Sequence, residues 1–272
     1  MNDLQTIQPI LITYHQLKMK IILIQHDLLT RFHVGLACPG IPENALPTIH
    51  RFLVHAPLWQ KFLQEYAPNL ALNSTVVAGW TDELNIKLDS PRMLVADPAQ
   101  LRVLLLYETQ WPTLESIKDF VALLGKWGVR IGFKIRPDVP TGTQVEKYFS
   151  GLNVHPHDIV GRLDKESLAS YDFVVGSHSS VMYHLAGIGF PVVRVMTSYD
   201  FGDQLVTYGM ATPWYKTDTL AELINRIQNS QSCVTRSRAL MLPDPTTPEW
   251  SDVLAKAVPG LTQGNGPAIK GK

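Results

Sequence analysis

The sequence has few cysteines, no excess of either charge and no long apolar run. Cys38 and Cys233 are its only cysteines, too few for a disulfide framework or a cysteine zinc site, which indicates a reduced, cytoplasmic setting. Basic and acidic side chains number 24 each, so no net positive field holds nucleic acid and any anion is bound locally. The apolar run Ile21–Ile24 is far shorter than the ~20 residues that span a bilayer, and Met1–Pro9 lacks the basic start of a signal peptide. Peripheral attachment at the inner face of a membrane stays open.

Several motifs of nucleotide-binding enzymes and hydrolases are also missing. No G-x-G-x-x-G follows the first strand, which disfavours a standard dinucleotide site. No G-x-x-x-x-G-K-[ST] phosphate loop occurs, which excludes a P-loop NTPase by motif, and the lack of a G-x-S-x-G nucleophile elbow argues against an α/β-hydrolase. The sequence has no Asp-x-Asp pair either, and this favours a phosphate site that works without a metal ion. No cofactor is predicted.

Short apolar segments that do not alternate with polar residues predict strands buried on both faces. The predicted strands are Lys20–Ile24, Phe52–Val54, Thr75–Ala78, Val103–Tyr107, Arg130–Ile135, Phe173–Gly176 and Val192–Val195. Segments with helical periodicity lie between them, namely Leu58–Tyr66, Thr113–Trp127, Val181–Gly187 and Leu220–Asn229. Because strands and helices alternate, we expect an α/β fold with mainly parallel, doubly wound sheets.

A cluster of aspartates and prolines at residues 88–100 interrupts the alternation and predicts a domain boundary. We expect a first domain over residues 1–95, in which 1–18 form an appendage, and a second over 96–258. The last residues, 259–272, are rich in Gly, Pro, Asn and Lys, a composition that predicts a disordered tail.

Polar residues follow three strands of the predicted second domain. The strand Arg130–Ile135 delivers Lys134 and Arg136 at its end, and Asp200 follows the strand Val192–Val195. The segment Ser177–Ser180 lies between a strand and a helix, where free amides and the helix dipole form an anion site. Since ligands bind at the carboxyl ends of strands in such sheets, we expect these groups to hold a phosphate or diphosphate. A solvated arginine and a well-capped helix without a ligand are the structural alternatives.

Two strings in this region resemble GT-B glycosyltransferases, especially bacterial surface-polysaccharide enzymes and the related polyol-phosphate and sialic acid transferases. Phe133–Asp138 (FKIRPD) is similar to their basic residue and proline at a strand end. Val174–Val193 (VVGSHSSVMYHLAGIGFPVV) is similar to their segment of paired Ser or Thr, then Glu, then Gly-x-Pro. The resemblance is specific in residues 130–200 and fainter across 20–215. It implies two Rossmann-like parallel-sheet domains, of which the first is abbreviated.

The resemblance also implies roles for individual residues. Arg136 with Ser177, Ser179 and Ser180 would bind the phosphates of a nucleotide-sugar donor, and Lys134 and Asp200 belong to the same donor site. His184 stands where many members have the glutamate that holds the ribose hydroxyls. Imidazole makes one such hydrogen bond and not the bidentate pair of a carboxylate, so the sequence departs from the family's pattern at this position.

A catalytic base is expected at the end of the first strand. The string Ile22–Asp27 (ILIQHD) is similar to the strand end that these transferases present to the acceptor. His26 is the candidate base, because its ordinary pKa suits proton transfer near neutral pH, and Asp27 orients it or replaces it. A histidine that only caps a turn is the alternative, and His33, His50 and His55 are weaker candidates.

Three functions fit these observations. The first is a metal-independent glycosyltransferase that moves a sugar from a nucleotide-sugar donor to a surface-glycan or lipid-linked acceptor. The second is a nucleotide-sugar epimerase of the same architecture, which needs no acceptor. The third is a non-catalytic, nucleotide-sugar-binding subunit of a transferase complex, which the short first domain and the histidine at position 184 favour.

Overall fold

The computed structural model divides the chain into two compact units. The first unit comprises Met1–Asp82 and Leu242–Lys272, and the second comprises Glu83–Met241. The structure describes residues 12–14, 16–18, 21–25, 49–66, 75–78, 100–108, 113–136, 139–152, 154–198, 203–230, 234–242 and 252. In this part of the chain no helix has the length and apolar character to cross a bilayer.

The first unit contains a parallel sheet of three strands in the order β1–β2–β3. These strands are β1 (Ile21–Ile24), β2 (Ile49–Val54) and β3 (Thr75–Val77). Helix α1 (Pro57–Tyr66) follows β2 and buries one face, made of Leu58, Trp59, Phe62 and Leu63. The spacing of these four residues is that of an amphipathic helix on a sheet.

The second unit contains a parallel sheet of six strands in the order β6–β5–β4–β7–β8–β9. Its strands are β4 (Arg102–Leu106), β5 (Arg130–Lys134), β6 (Asp158–Val160), β7 (Phe173–Gly176), β8 (Val192–Val195) and β9 (Thr212–Trp214). The sequence therefore runs outward from β4 in one direction, then returns to β7 and runs outward in the other. This order is that of a dinucleotide-binding Rossmann sheet.

Helices connect these strands and cover the sheet. They are α2 (Thr113–Lys126), α3 (Thr141–Phe149), α4 (Lys165–Ala169), α5 (Ser180–Gly187), α6 (Asp203–Thr207), α7 (Leu220–Asn229) and α8 (Val234–Met241). Two of them begin with a capping box, α4 at Asp164 and α7 at Thr219, which satisfies first-turn amides. Side chains of α2, α3 and α7 form one buried core with β4, β5, β7, β8 and β9.

The predicted fold class is confirmed, with two parallel sheets of which the first is the smaller. All seven predicted strands and all four predicted helices are present with small shifts of their ends. The strands β6 and β9 were missed. Two of the three β6 residues are exposed, so that strand lacks an apolar run, and β9 contains Pro213, which an edge strand tolerates.

The predicted boundary at 95/96 stays a prediction, because residues 79–99 lie outside the described part of the chain. The same holds for the tail 259–272 and for most of the appendage 1–18. The division of the chain assigns the residues from Leu242 onward to the first unit, whereas the expected second domain extends to residue 258.

Candidate functional site

The order of strands in the second unit reverses between β4 and β7. These two strands are neighbours, with Leu105 opposite Val175, yet their crossovers lead to opposite sides of the sheet. Such a point leaves a crevice outside the carboxyl ends of the two strands, where ligands bind in open α/β sheets. The residues that follow β4 and β7 are therefore the first place to look for a site.

Glu108 follows β4 at this point and is 4% exposed. Its carboxylate accepts three main-chain N–H groups of the turn after β7, with Ser177 N at 2.8 Å from Oε2, and with His178 N at 2.9 Å and Ser179 N at 2.7 Å from Oε1. The Nδ1 atom of His178 lies 3.4 Å from Oε2. Three N–H groups converging on one carboxylate are strong, charge-assisted bonds, so Glu108 fixes the turn that precedes α5.

Gly176, the last residue of β7, allows this approach. A Cβ atom at Gly176 would lie 2.8 Å from Oε1 of Glu108 and 2.8 Å from Sδ of Met182. Any larger side chain would force the carboxylate or the first turn of α5 to move. Close packing against Glu108 and Met182 therefore explains why a glycine ends this strand.

Arg194 supports the turn from β8 and is completely buried. Its Nε donates to the carbonyl of Ser177 at 3.0 Å, and its Nη1 lies 2.7 Å from Oδ1 of Asp203 at the start of α6. Burial lowers the pKa of Arg194, and the negative charges of Asp203 and Glu108 act in the opposite direction. Arg194 therefore ties the turn after β7 to the segment that follows β8.

The main chain of Glu108 is held from another side by Tyr148 of α3. The Glu108 N–H donates to the hydroxyl oxygen of Tyr148, which is itself buried among aromatic rings. Burial, and secondly the charge of Glu108, raise the pKa of Tyr148. Both the main chain and the side chain of Glu108 are thus bonded inside the unit.

Lys134 is the last residue of β5 and Arg136 follows that strand, on the far side of β4 from β7. Lys134 is half-buried, donates to the carbonyl of Ile135, and has a pKa lowered by burial. The side chain of Arg136 is exposed, while its main-chain N–H and C=O are both bonded by the buried Gln144 of α3. Gln144 also donates to the carbonyl of Val139. The loop after β5 is therefore pinned by one amide side chain, which presents Arg136 at the edge.

The predicted serines all lie at the start of α5. Ser177 is 1% exposed, and its Oγ has no hydrogen-bond partner among the described residues. Ser179 occupies the N-cap position without a side-chain capping bond, and Ser180 is the first helical residue. His184 lies one turn further along α5, half-buried, and its carbonyl accepts the Ile188 N–H. The sheet thus brings Arg136 and the serine turn to one edge, with β4 between them.

Three predicted residues lie outside the described part of the chain, the candidate base His26, its neighbour Asp27, and Asp200. Their roles stay predictions.

Two of the weaker histidine candidates, His50 and His55, lie in the described part of the first unit. His55, after β2, is buried, and its main-chain N–H donates to Oε1 of Gln25, after β1, at 3.0 Å. The Nδ1 of His50 accepts the Ile21 N–H at 3.2 Å. The imidazole of His50 therefore has a structural role as an acceptor, whereas the bond to Gln25 involves only the main chain of His55. His33 lies outside the described residues.

Glu108 is the site residue that sequence reasoning missed. A signal was present, because Glu108 directly follows a predicted strand at the same edge as Arg136 and the serine turn. Arg194 was missed for a different reason, since a charge within a predicted buried strand fits no motif. In the described ranges, no group of three or more His, Cys, Asp or Glu side chains is arranged to hold a metal ion.

No protein-family model and no curated protein sequence matches this chain. Solved structures do match its fold. The spinosyn forosaminyltransferase SpnP is 11% identical with a TM-score of 0.50, and the match covers 91% of this chain and 72% of SpnP. The glycotransferase of kitacinnamycin is 16% identical, with a TM-score of 0.46, over 85% of this chain and 69% of that one. SnogD from Streptomyces nogalater is 12% identical, with a TM-score of 0.46, over 92% and 76%.

The match to SpnP, at this low identity, establishes a shared fold and not a shared site. The chain is an α/β protein with two Rossmann-like parallel sheets, the fold of GT-B glycosyltransferases. Its chemistry has to be argued from its own residues.

Proposed function

We propose that this protein is a glycosyltransferase that moves a sugar from a nucleotide-sugar donor to a glycan or lipid-linked acceptor, without a metal ion. The bacterial surface-polysaccharide type, a cytoplasmic location and association with a membrane or partner subunit belong to the same proposal. The fold shared with a forosaminyltransferase supports it, although fold alone does not define function.

One observation carries the proposal. Lys134 is the last residue of β5 and Arg136 follows that strand, while the start of α5 follows β7. These groups lie at the same edge of one parallel sheet, on the two sides of the reversal point. Two cations, with serine hydroxyls at the start of a helix beside them, suit a phosphate group at such an edge. The buried Gln144 fixes the main chain of Arg136, so the guanidinium is attached to a rigid support.

The roles of the remaining residues are proposed on the resemblance. Ser179 and Ser180 offer hydroxyls to the donor phosphates, and His184 makes one hydrogen bond to the ribose. Ser177 is expected to contribute less, because it is almost fully buried. His26 acts as the base, oriented by Asp27, while Asp200 contributes to the donor site.

A specific observation favours the non-catalytic subunit as a second candidate. The three amides of the turn after β7 are bonded to Glu108, so the helix start offers fewer groups to a ligand than the sequence indicates. The occupied amides are compatible with a subunit that binds a donor weakly or that binds only a partner chain. The epimerase alternative has no observation in its favour beyond the same proposed phosphate site.

Thermal unfolding with UDP, CMP, CDP, GDP and their sugar conjugates, without added metal, tests the proposal. A ligand at about 100 times its dissociation constant adds about 2.7 kcal/mol to the free energy of unfolding, or several degrees for a unit of this size. We expect one nucleotide to raise the melting temperature of the wild type and not that of Arg136→Ala. Conversion of the sugar conjugate without an acceptor would identify the epimerase instead.

Arg130→Ala is the matched control. Arg130 is an exposed arginine at the other end of the same strand β5. Its replacement by alanine therefore removes the same charge, but at a position distant from the sheet edge where Arg136 lies. If both variants lose the shift equally, the effect is one of general charge. If no nucleotide shifts the wild type, the donor site is refuted and the non-catalytic subunit becomes the better proposal.

A further inference from the structure

The turn after β7 has the geometry of an anion site that is already filled. Successive main-chain N–H groups of Ser177, His178 and Ser179 point at one group, as they do in loops that bind phosphate. The group they hold is the Glu108 carboxylate, at 2.7 to 2.9 Å. The anion therefore comes from the chain itself, 69 to 71 residues earlier in the sequence.

Both carboxylate oxygens of Glu108 are engaged. Oε1 accepts two N–H groups, and Oε2 accepts one and lies 3.4 Å from Nδ1 of His178. The guanidinium of Arg194 attracts the same carboxylate and bonds the carbonyl of Ser177. Because Glu108 is 4% exposed, water competes weakly for these bonds, and they are stronger than they would be at a surface.

We propose that Glu108 is a resident anion that closes the turn after β7 to ligand phosphate and so determines where a donor phosphate binds. A phosphate arriving at this turn would find the three N–H groups occupied and would face a buried negative charge. It is therefore held further out, by the exposed Arg136 after β5 and by Lys134 at the end of β5. This last step rests on the proposed function, whereas the closed turn does not. Glu108 is thus a specificity-determining residue, and it contacts the turn rather than the substrate.

Replacement of Glu108 by alanine tests the closed turn in the full chain. Glu108→Ala leaves three N–H groups facing a vacancy of the size of a carboxylate and a short alkyl chain. We expect this variant to be less stable than the wild type and to regain stability with sodium formate or inorganic phosphate. Sodium chloride at the same ionic strength is the reference. The apparent affinity for formate should be at least about tenfold higher in Glu108→Ala than in the wild type, since one charge-assisted bond is worth about a factor of ten or more.

Glu115→Ala is the control variant. Glu115 is half-exposed on α2, where it pairs with Lys118, so its removal changes the net charge equally without opening the turn. Formate and phosphate should affect this variant as they affect the wild type. An equal response of wild type, Glu108→Ala and Glu115→Ala to formate would overturn the proposal, because the anions would then act through general charge.

The proposal can also be tested if Glu108→Ala does not fold in the absence of added anions. If Glu108→Ala is obtained unfolded, refolding in formate should restore the yield of folded protein, and refolding in chloride should not. Equal yields in both salts would count against a resident anion. In the wild type, hydrogen exchange of the amides of Ser177–Ser179 should be slow without any ligand and unchanged by phosphate. Rapid exchange of these amides that phosphate slows would mean that the turn is open.

Nucleotide-sugar binding by the same variants distinguishes this inference from the proposed function. If the wild type binds a nucleotide sugar and Arg136→Ala does not, Glu108→Ala should still bind it, with an affinity equal to or greater than that of the wild type. A complete loss of nucleotide binding in a folded Glu108→Ala would show that Glu108 does not exclude phosphate. If no nucleotide binds any variant, the proposed function fails, while the formate result still decides whether Glu108 is a resident anion.

Discussion

Removal of Asp203 should destabilise the second unit more than removal of Arg194, although the two side chains form one ion pair. The Nη1 atom of Arg194 lies 2.7 Å from Oδ1 of Asp203, but Arg194 is fully buried while the Asp203 side chain is 45% exposed. Asp203→Ala leaves a buried guanidinium without its anion, a change that costs about 3–5 kcal/mol. The bond of Arg194 to the Ser177 carbonyl and the attraction of Glu108 place the expected loss near the lower end of this range.

Arg194→Met should cost less. Methionine fills much of the buried space, and water solvates the exposed Asp203 carboxylate that remains. The main loss is the bond to the Ser177 carbonyl, which leaves a buried acceptor unsatisfied at a cost of about 1–3 kcal/mol. In the double variant Asp203→Ala/Arg194→Met no buried guanidinium is left without its anion, so the further loss of Asp203 should cost little. The double variant should therefore be close in stability to Arg194→Met alone.

Urea unfolding followed by tryptophan fluorescence measures these differences in the free energy of unfolding. The slope against urea should stay constant, since a changed slope would mean that the compactness of one state had changed. The reasoning is refuted if Asp203→Ala costs less than about 1 kcal/mol, or if the two single losses add up in the double variant. Additivity would mean that the two side chains do not interact.

Three further perturbations follow from the same contacts. Gly176→Ala should lower the free energy of unfolding by about 1–3 kcal/mol, because the new Cβ would lie 2.8 Å from Glu108 Oε1; a neutral result in urea unfolding would contradict this packing. Gln144→Leu should cost about 2–3 kcal/mol through the unsatisfied main-chain groups of Arg136, and it should weaken nucleotide binding relative to the wild type. The pKa of Tyr148 is raised in the folded state, so its contribution to stability is complete below pH 10 and falls as the pH rises above 10. Tyr148→Phe should therefore lose stability less steeply, by about 1.4 kcal/mol per pH unit in that range, and equal slopes would refute the assignment.

The strands were predictable because burial on both faces leaves a local mark. Residues such as Val174 and Val175 are apolar in succession, and that pattern needs no knowledge of the rest of the fold. The same reasoning identified the strand ends that carry Arg136 and Ser177. What it could not supply is which strands are neighbours, because the order β4–β7 joins segments 70 residues apart. A bond between Glu108 and the turn depends on that order, so no local pattern reveals it.

The contacts of Glu108 also change how the serine turn is interpreted. Three serines and a glycine at a strand-to-helix turn exceed what capping needs, and a ligand is the natural explanation from sequence. Gly176 and the amides of the turn have an internal explanation, because each accommodates or bonds Glu108. The hydroxyls of Ser179 and Ser180 have no such explanation in the part of the chain that the structure describes, since Ser179 does not cap α5 through its side chain. The groups expected to bind a ligand are therefore the serine hydroxyls of the turn and Arg136, and not the main-chain amides of the turn. A fold shared with a glycosyltransferase is consistent with either arrangement, which is why the charge on Glu108 decides more about this site than the fold does.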